Sequence, residues 1–302
     1  VEWIITLLTK NYKMKRGILL MAFGHPYYGR MAYNLAVTLK AAEADMPIAV
    51  ITDDDALRHL DEEKKKIFDQ VISVSGGETG IKKANDTRMS LNKLSPFDET
   101  LSMDVDMLWM AGKPSEVFAA LDGCDYATVN EGYVDLSSDT DTTSGIYTFW
   151  GNLEEIVAAY DLKGKIYQTR CEFILFRKSA TTNKIFGTAR KIRRSPKIDV
   201  IKLGGAVTDE FALNISLCLN GIELQQSPWH PAYWPNIHQG YVPELRIINK
   251  QYNAISFGGN VVSPKLKTLH DHIVQAACTK LGLKHFYKIQ SKRIFLNDRI
   301  TM

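Results

Sequence analysis

Residues 17–54 read GILLMAFGHPYYGRMAYNLAVTLKAAEADMPIAVITDD. Gly17–Phe23 is a short apolar run halted by Gly24-His25-Pro26, the pattern of a buried strand followed by a turn. Met31, Leu35, Leu39 and Ala42 then recur at helical spacing within Tyr28–Ala44. Pro47–Thr52 is a second apolar strand, closed by Asp53-Asp54-Asp55. A strand, a helix and a strand, with both strands apolar throughout, predict a parallel sheet covered by helices on both faces. Ligands of such sheets bind outside the carboxyl ends of the strands. The chemistry is therefore expected near Phe23-Gly24-His25 and Thr52-Asp53-Asp54.

The same alternation continues downstream. Ala56–Phe68 reads as a charged helix, Gln70–Val74 as a strand, and Thr87–Leu94 as a helix broken by Ser95-Pro96-Phe97. Glu99–Met103 is a strand that runs straight into Asp104-Val105-Asp106. A strand at Tyr126–Asn130, a polar loop at Ser137–Gly145 and a helix at Leu153–Tyr160 follow. Then come a strand at Glu172–Arg177 and a basic helix at Ala180–Arg193. Thr208 is placed to cap a helix through Leu219, with Asp209 and Glu210 in its first turn. An aromatic, loop-rich stretch precedes a helix at Lys265–Lys280 and a basic tail. With no repeat and no linker, a single elaborated α/β domain is expected over residues 14–262. Residues 1–13 read as an extension outside the fold, and residues 263–302 as a helical basic segment packed on it.

The 302 residues are 45% hydrophobic and 24% charged, which supplies a core and excludes disorder as the main state. The formal net charge of +3 hides an asymmetry. Residues 163–202 hold twelve Lys/Arg and two acids, and residues 264–302 hold eight and two, leaving the remainder at −13. Such separation of sign suits one face for a polyanion and another for a different ligand. The four cysteines are far apart, so neither a zinc knuckle nor a disulfide framework is expected, and a reducing cytoplasm is the simplest setting. Apolar runs stop well short of the ~20 residues of a membrane span.

Asp104 and Asp106 stand two apart at the end of an apolar strand, so a turn there aims both at one cation. Hard divalent ions take a few carboxylates together with phosphate oxygens. Turn or helix-capping aspartates give the same spacing, and spacing alone favours that reading.

The stretch from Thr87-Arg88 through LNKLSPFDETLSMDVD (residues 91–106) resembles the Asp-x-Asp region of GT-A nucleotide-sugar glycosyltransferases. It is most similar to their glycogenin-like family 8 branch and its phage-encoded relatives. Residues 22–54 resemble that family's first strand-helix-strand unit, EFILFRK (172–178) its mid-domain strand, and Thr208–Asn214 its later acidic helix. The resemblance covers roughly residues 16–220 and implies a GT-A, Rossmann-like mixed sheet flanked by helices.

It also implies roles. Asp104 and Asp106 would hold Mn²⁺ or Mg²⁺ on the diphosphate of a nucleotide sugar, most simply a UDP-sugar, with Val105 between them against the donor. Arg88 and Lys93 would meet the diphosphate. Ala22, Phe23, Tyr28 and Asp53 would line the base and ribose pocket; Tyr28 and Asp53 suit core and helix-cap roles as well. Asp209 and Glu210 would lie near the donor sugar and acceptor, as a general base or as groups that steady the sugar; two acids in a first turn also simply complement the helix dipole. The chain departs from the family in one place. Glycogenin-like enzymes carry a late His as third metal ligand, and the comparable stretch AISFGGN (254–260) has none. His270 and His272 follow on a helix, and His230 and His238 lie in the aromatic stretch; His270 is the candidate ligand.

The basic segments suit double-stranded DNA as partner, or a solvated face, and the aromatics Trp229, Tyr233, Trp234 and Tyr241 suit stacking on an extruded base or a sugar, or roles in the core and turns. Together these readings predict transfer of a sugar to a 5-hydroxymethylpyrimidine in phage-type DNA, in a host cytoplasm if the gene is a phage's. A glycan, lipid or protein acceptor is the first alternative. A non-catalytic nucleotide or nucleic-acid binding module is the second.

Overall fold

The computed structural model describes residues 4–8, 15–53, 55–75, 80–138, 140–141, 150–200, 202–203, 206–224, 231–235, 244–258 and 263–289. Trp229, His230, His238, Tyr241, Gly259, Asn260, most of the loop at Ser137–Gly145 and the tail from residue 290 lie outside them.

β1 (Ile4–Leu8) and β2 (Arg16–Ala22) lead into α1 (Pro26–Ala42), β3 (Ile48–Thr52), the one-turn α2 (Glu62–Lys65) and β4 (Gln70–Ser75). α3 (Gly80–Arg88) and α4 (Leu91–Leu94) precede β5 (Glu99–Asp104) and β6 (Met107–Trp109), and Pro114–Leu121 is a 3-10 helix. β7 (Tyr126–Asp135), β8 (Thr140–Asp141), α5 (Leu153–Tyr160), β9 (Lys165–Arg177) and α6 (Ala180–Arg194) follow. The last third holds β10 (Lys202–Leu203), β11 (Ala206–Val207), α7 (Asp209–Leu219), β12 (Ala232–Tyr233), α8 (Leu245–Gln251), β13 (Ala254–Ser256) and α9 (Pro264–Leu281).

Among the described residues, eight strands form one sheet in the order β1-β4-β3-β2-β5-β9-β7-β8. β4, β3, β2 and β5 are parallel, as the opening stretch predicts. Beyond β5 the sheet turns antiparallel: β9 pairs with β5 and then with β7. The parallel arrangement read from the opening stretch holds for β2 to β5, and the sheet as a whole is mixed, as the resemblance implies. Ile4–Leu8, inside the segment read as an extension, pairs antiparallel with β4 at the sheet edge.

Side chains of β2 alternate between the two faces. Ile18, Leu20 and Ala22 enter a core with α1 and α9, while Leu19, Met21 and Phe23 enter a second core with α6 and α7. Strands buried on both faces need continuous apolar sequence, which is what β3 supplies with IAVIT.

α1 starts where Pro26 occupies the first turn and His25 Nδ1 accepts from the Tyr27 N–H at 3.0 Å. Gly29 lets this helix approach the next connection, because a Cβ there would lie 2.0 Å from the Ala56 carbonyl oxygen. The chain around Ala56 consequently runs in turns against α1, burying Ala56, Leu57 and Leu60, and only Glu62–Lys65 is helical. The longer helix expected over Ala56–Phe68 does not form. α9 lies along α1, and buried Asn34 exchanges hydrogen bonds of 2.6 and 3.0 Å with the Tyr287 backbone beyond it. No helix among the described residues is long and apolar enough to cross a membrane.

Candidate active site

The carboxyl ends of β2 and β5 open on a cleft of about 360 Å³, walled on its far side by β9 and the start of α7. Phe23, Tyr28, Arg88, Asp104, Val105, Asp106, Asp209 and Glu210, all singled out from the sequence, line this one cleft. A larger hollow of about 490 Å³ between α1, β6 and α9 holds none of its carboxylates.

Arg88 ties the cleft together. It ends α3 and is 7% exposed. Its guanidinium donates to Asp104 Oδ1 and, at 2.6 Å, to the Cys171 carbonyl, and its Nε lies 3.0 Å from Asp209 Oδ2. Burial opposes the charge, but Asp104 and then Asp209 more than offset it and push the Arg88 pKa up. One planar fork thus fixes the β5 end, β9 and α7 relative to each other.

α7 is aimed by its own cap and by β9. The Thr208 side chain accepts from the Phe211 N–H at 3.3 Å, and Thr169 Oγ1 on β9 donates to Asn214 at 2.6 Å. That puts Asp209 and Glu210 over the cleft, where the helix N-terminus favours negative charge. Glu210 accepts from the Trp150 indole N–H at 2.9 Å. Burial and then the Asp209 carboxylate push Glu210 up to about 7, against the pull of Arg170.

Glu172 is the site residue that sequence reasoning missed. It lies on β9, which pairs with β5 as far as Phe173 opposite Met103, and it lines the same cleft as Asp104 and Asp106. Its carboxylate accepts from the Trp234 indole N–H. Burial, then Asp104 and Asp106, push it up to about 8. One signal was readable: an acid standing inside the apolar run CEFILF (171–176). Trp150 and Arg170, which pairs with Glu131 at 2.7 Å, were missed with it, and Trp234, read as a stacking aromatic, is instead 7% exposed with its indole N–H on Glu172.

Four other sequence candidates stand elsewhere. His270 is buried between α9 and α1, edge-on to Phe257, with its ring nitrogens 3.5 Å from Asn34 and 3.1 Å from Asp271. A packed core histidine satisfies that position, and His270 is not part of the cleft. Lys93 is exposed on the last turn of α4, away from the cleft lining. Asp53 uses its carboxylate on the backbone, accepting from Gly24 N at 2.8 Å and Ala56 N at 3.0 Å, so it shapes the turns on which α1 starts. Ala22 is fully buried beneath the cleft in the α1 core.

A divalent cation at Asp104 and Asp106 can be tested against the space around Gly258. A Cβ on Gly258 would lie 3.1 Å from Ser256 Oγ, 3.4 Å from Asp106 Oδ2 and 3.6 Å from Glu172 Oε1. Three oxygens from three elements therefore face one small space that the glycine leaves open. The donor set is all oxygen, which suits Mg²⁺ or Mn²⁺. Among the described residues no ready-made cage of three His, Cys, Asp or Glu exists. Magnesium-type sites seldom have one, because substrate phosphates complete the shell. The residues fit the ion.

The basic helix has a different use from the one expected. Arg193 is 9% exposed and pairs with Asp86 on α3, and Arg190 donates to the Met89 carbonyl at 2.9 Å and to Ser90 Oγ at 2.8 Å. Both brace the end of α3 that carries Arg88. Lys184, Lys191, Arg194 and Lys197 stay exposed.

No family model matches the chain, and no curated protein does. Solved structures do. The bifunctional glycosyltransferase WbbM matches with a TM-score of 0.55 at 10% identity over 89% of this chain and 50% of its own. Galactosyltransferase LgtC, solved with donor and acceptor sugar analogs, matches at 0.54 and 13% identity over 91% of this chain and 97% of its own. The glycosyltransferase GlyE of Streptococcus pneumoniae matches at 0.51 and 11% identity over 95% of this chain and 63% of its own. The chain thus spans half of WbbM and nearly all of LgtC. The fold is that of the GT-A glycosyltransferases.

Proposed function

We propose that the protein is a metal-dependent glycosyltransferase that moves a sugar from a nucleotide-diphosphate donor to a hydroxyl acceptor. The observation that carries this reading is the placement of Asp104, Asp106, Arg88, Asp209 and Glu210 in one cleft at the carboxyl ends of β2 and β5. Phe23 and Tyr28 offer ring faces for the nucleoside at the cleft wall. Asp104 and Asp106 would hold a divalent cation, which would supply Lewis-acid stabilisation of the departing diphosphate. Arg88 orients Asp104 and Asp209 toward that same centre.

In the reaction the bond between the anomeric carbon and the diphosphate oxygen breaks, and a bond to the acceptor oxygen forms. Glu210, ionised, either takes the acceptor proton or steadies positive charge at the anomeric carbon while the departing diphosphate oxygen takes that proton. The anomer released, read by NMR, separates inversion from retention.

For the acceptor, we carry forward a 5-hydroxymethylpyrimidine in duplex DNA. Its support is the charge asymmetry, with Lys184, Lys191, Arg194 and Lys197 exposed on and just beyond α6. Arg190 and Arg193 are engaged inside the protein and lend it none.

Thermal-shift measurements with a panel of nucleotide sugars and Mn²⁺ test the donor half, since a ligand of the native state raises its stability. Asp104→Asn together with Asp106→Asn is expected to lower donor hydrolysis about a thousandfold, ~4 kcal/mol of barrier. Undiminished hydrolysis in that variant would remove the metal assignment. Transfer of a radiolabelled sugar onto hydroxymethylated DNA, compared with an oligosaccharide, tests the acceptor half.

A further inference from the structure

We propose that Glu172 is a third protein ligand of the divalent cation held at Asp104 and Asp106, in a cradle that Gly258 keeps open. The inference rests on the metal-dependent reading above and extends it to a residue that the Asp-x-Asp pattern does not contain.

Three observations converge. First, the sheet brings Glu172 to the motif: the antiparallel ladder sets Phe173 against Met103, and Glu172, Asp104 and Asp106 line one cleft just beyond that pair. Second, the space is shared. The position a Gly258 Cβ would take lies 3.4 Å from Asp106 Oδ2 and 3.6 Å from Glu172 Oε1, with Ser256 Oγ at 3.1 Å. A methyl group there would be in contact with both carboxylates. Third, the surroundings aim the carboxylate. Trp234 donates to one oxygen of Glu172, Oε2, and Oε1 faces the cradle. The loop itself is fixed, because the Gly258 N–H donates to Ser256 Oγ at 3.1 Å and the Phe257 N–H to the Asp106 carbonyl at 2.7 Å.

The stretch that bears Ser256 and Gly258 is the one where a histidine ligand was sought and not found. A carboxylate arriving from β9 replaces an imidazole arriving from the loop. Three carboxylates make the site harder and more negative than two carboxylates and a histidine, so it favours Mg²⁺ and Mn²⁺ over Zn²⁺ and Ni²⁺ relative to an imidazole-containing set.

The test is Mn²⁺ binding by the full chain without nucleotide, read by the EPR signal of free Mn²⁺. Glu172→Gln is expected to weaken Mn²⁺ at least tenfold. Glu210→Gln removes the same charge from the same cleft, and is expected to change Mn²⁺ affinity less than threefold. Gly258→Ala leaves every charge in place and is expected to weaken Mn²⁺ by a similar factor to Glu172→Gln. Glu172→His is expected to retain binding while shifting the preference toward Zn²⁺ and Ni²⁺, a change that a purely structural role would not produce. Circular dichroism identifies any variant that fails to fold, and the remaining variants then decide.

Equal losses for Glu172→Gln and Glu210→Gln would overturn the proposal, because they would mean bulk charge alone. So would full Mn²⁺ affinity in Glu172→Gln or Gly258→Ala. If Asp106→Asn loses Mn²⁺ and Glu172→Gln does not, this inference fails and the metal-dependent reading stands. If Mn²⁺ binding depends on Glu172 but no nucleotide sugar shifts the melting temperature, the functional reading fails and the ligand assignment stands.

Discussion

Glu172 and Glu210 stand in one cleft, both half-buried, each hydrogen-bonded by a tryptophan indole, and both pushed up by loss of solvation and by carboxylate neighbours. They differ in company. Glu172 crowds Asp104 and Asp106 around the space at Gly258, whereas Glu210 sits with Asp209 under the pull of Arg170 and Arg88. On the α7 side the chain brings its own fixed cations to the acids. On the β5 side it gathers carboxylates around room for an ion. One cleft thereby keeps an acid under fixed cations apart from acids grouped around a small open space. Arg88 is the joint between the two sides.

Breaking that joint is expected to have the largest effect. Arg88→Ala removes the cation from Asp104 and Asp209 together and leaves the Cys171 carbonyl without this donor. Removing one partner of a buried ion pair costs about 3–5 kcal/mol, so urea unfolding should show a loss of that size along with the loss of transfer. Arg88→Lys keeps the charge but not the three-way fork and should recover only part of the stability. An unfolding midpoint equal to wild type in Arg88→Ala would mean that the two acidic groups are held independently.

Glu210→Gln sharpens the comparison from the α7 side. Loss of a general acid or base costs about 10²–10⁴ in rate. In wild type, kcat/KM is expected to rise with pH through about 7, where Glu210 ionises, and this limb should vanish in Glu210→Gln. Stability should move the opposite way. Folded Glu210 keeps a proton that the unfolded chain releases near the ordinary value of 4.5, so ionising it costs the native state. The melting temperature of wild type should therefore fall more steeply than that of Glu210→Gln between pH 4.5 and 7. A limb that survives in the variant would assign the titration to another group.

The two sides were unequally legible in the sequence. Asp104 and Asp106 could be read because a strand and its end are contiguous, and the rule about carboxyl ends of strands needs no tertiary information. Asp209 and Glu210 could be read from the cap and first turn of α7 for the same reason. Glu172 could not, because its partners lie some 66 residues away and are reached only through the antiparallel placement of β9 beside β5. β2, β3 and β4, all parallel, gave no hint of that reversal. His270 failed in the opposite way: a histidine on an amphipathic helix carries no mark that tells a ligand from a core residue, and here it packs against Phe257. The basic run in α6 failed through burial, since one face of that helix turns Arg190 and Arg193 inward to α3 and α4.

Trp150→Phe tests the finer setting of Glu210 and should have a smaller effect. The indole N–H stabilises the ionised carboxylate, and a hydrogen bond to a charged group is worth about 1.5–3 kcal/mol. Without it, burial and Asp209 act unopposed by that donor, and the rising limb of the pH profile should move to higher pH. At pH 7 transfer should drop several-fold and recover at more alkaline pH, while Mn²⁺ binding on the other side of Arg88 stays unchanged. Failure to recover at high pH would show that Trp150 acts by packing rather than through Glu210.

The smallest effect on the protein itself is expected at the outer face of α6. Lys191→Glu with Arg194→Glu reverses two exposed charges and leaves Arg190 and Arg193 in place. Exposed substitutions of this kind change stability by only about 0.5 kcal/mol, so neither side of the cleft should notice, and donor hydrolysis should match wild type. Duplex binding should notice if this face meets phosphate. Each phosphate contact adds about 0.9 to the slope of log K against log salt, so losing two should flatten the slope by about 2. Reversal at Arg190 or Arg193 cannot give this answer, because it would loosen α3 and with it Arg88. A salt slope unchanged in the double variant would detach DNA from α6, and leave the exposed lysines of this helix as a solvated surface above the brace that holds the cleft.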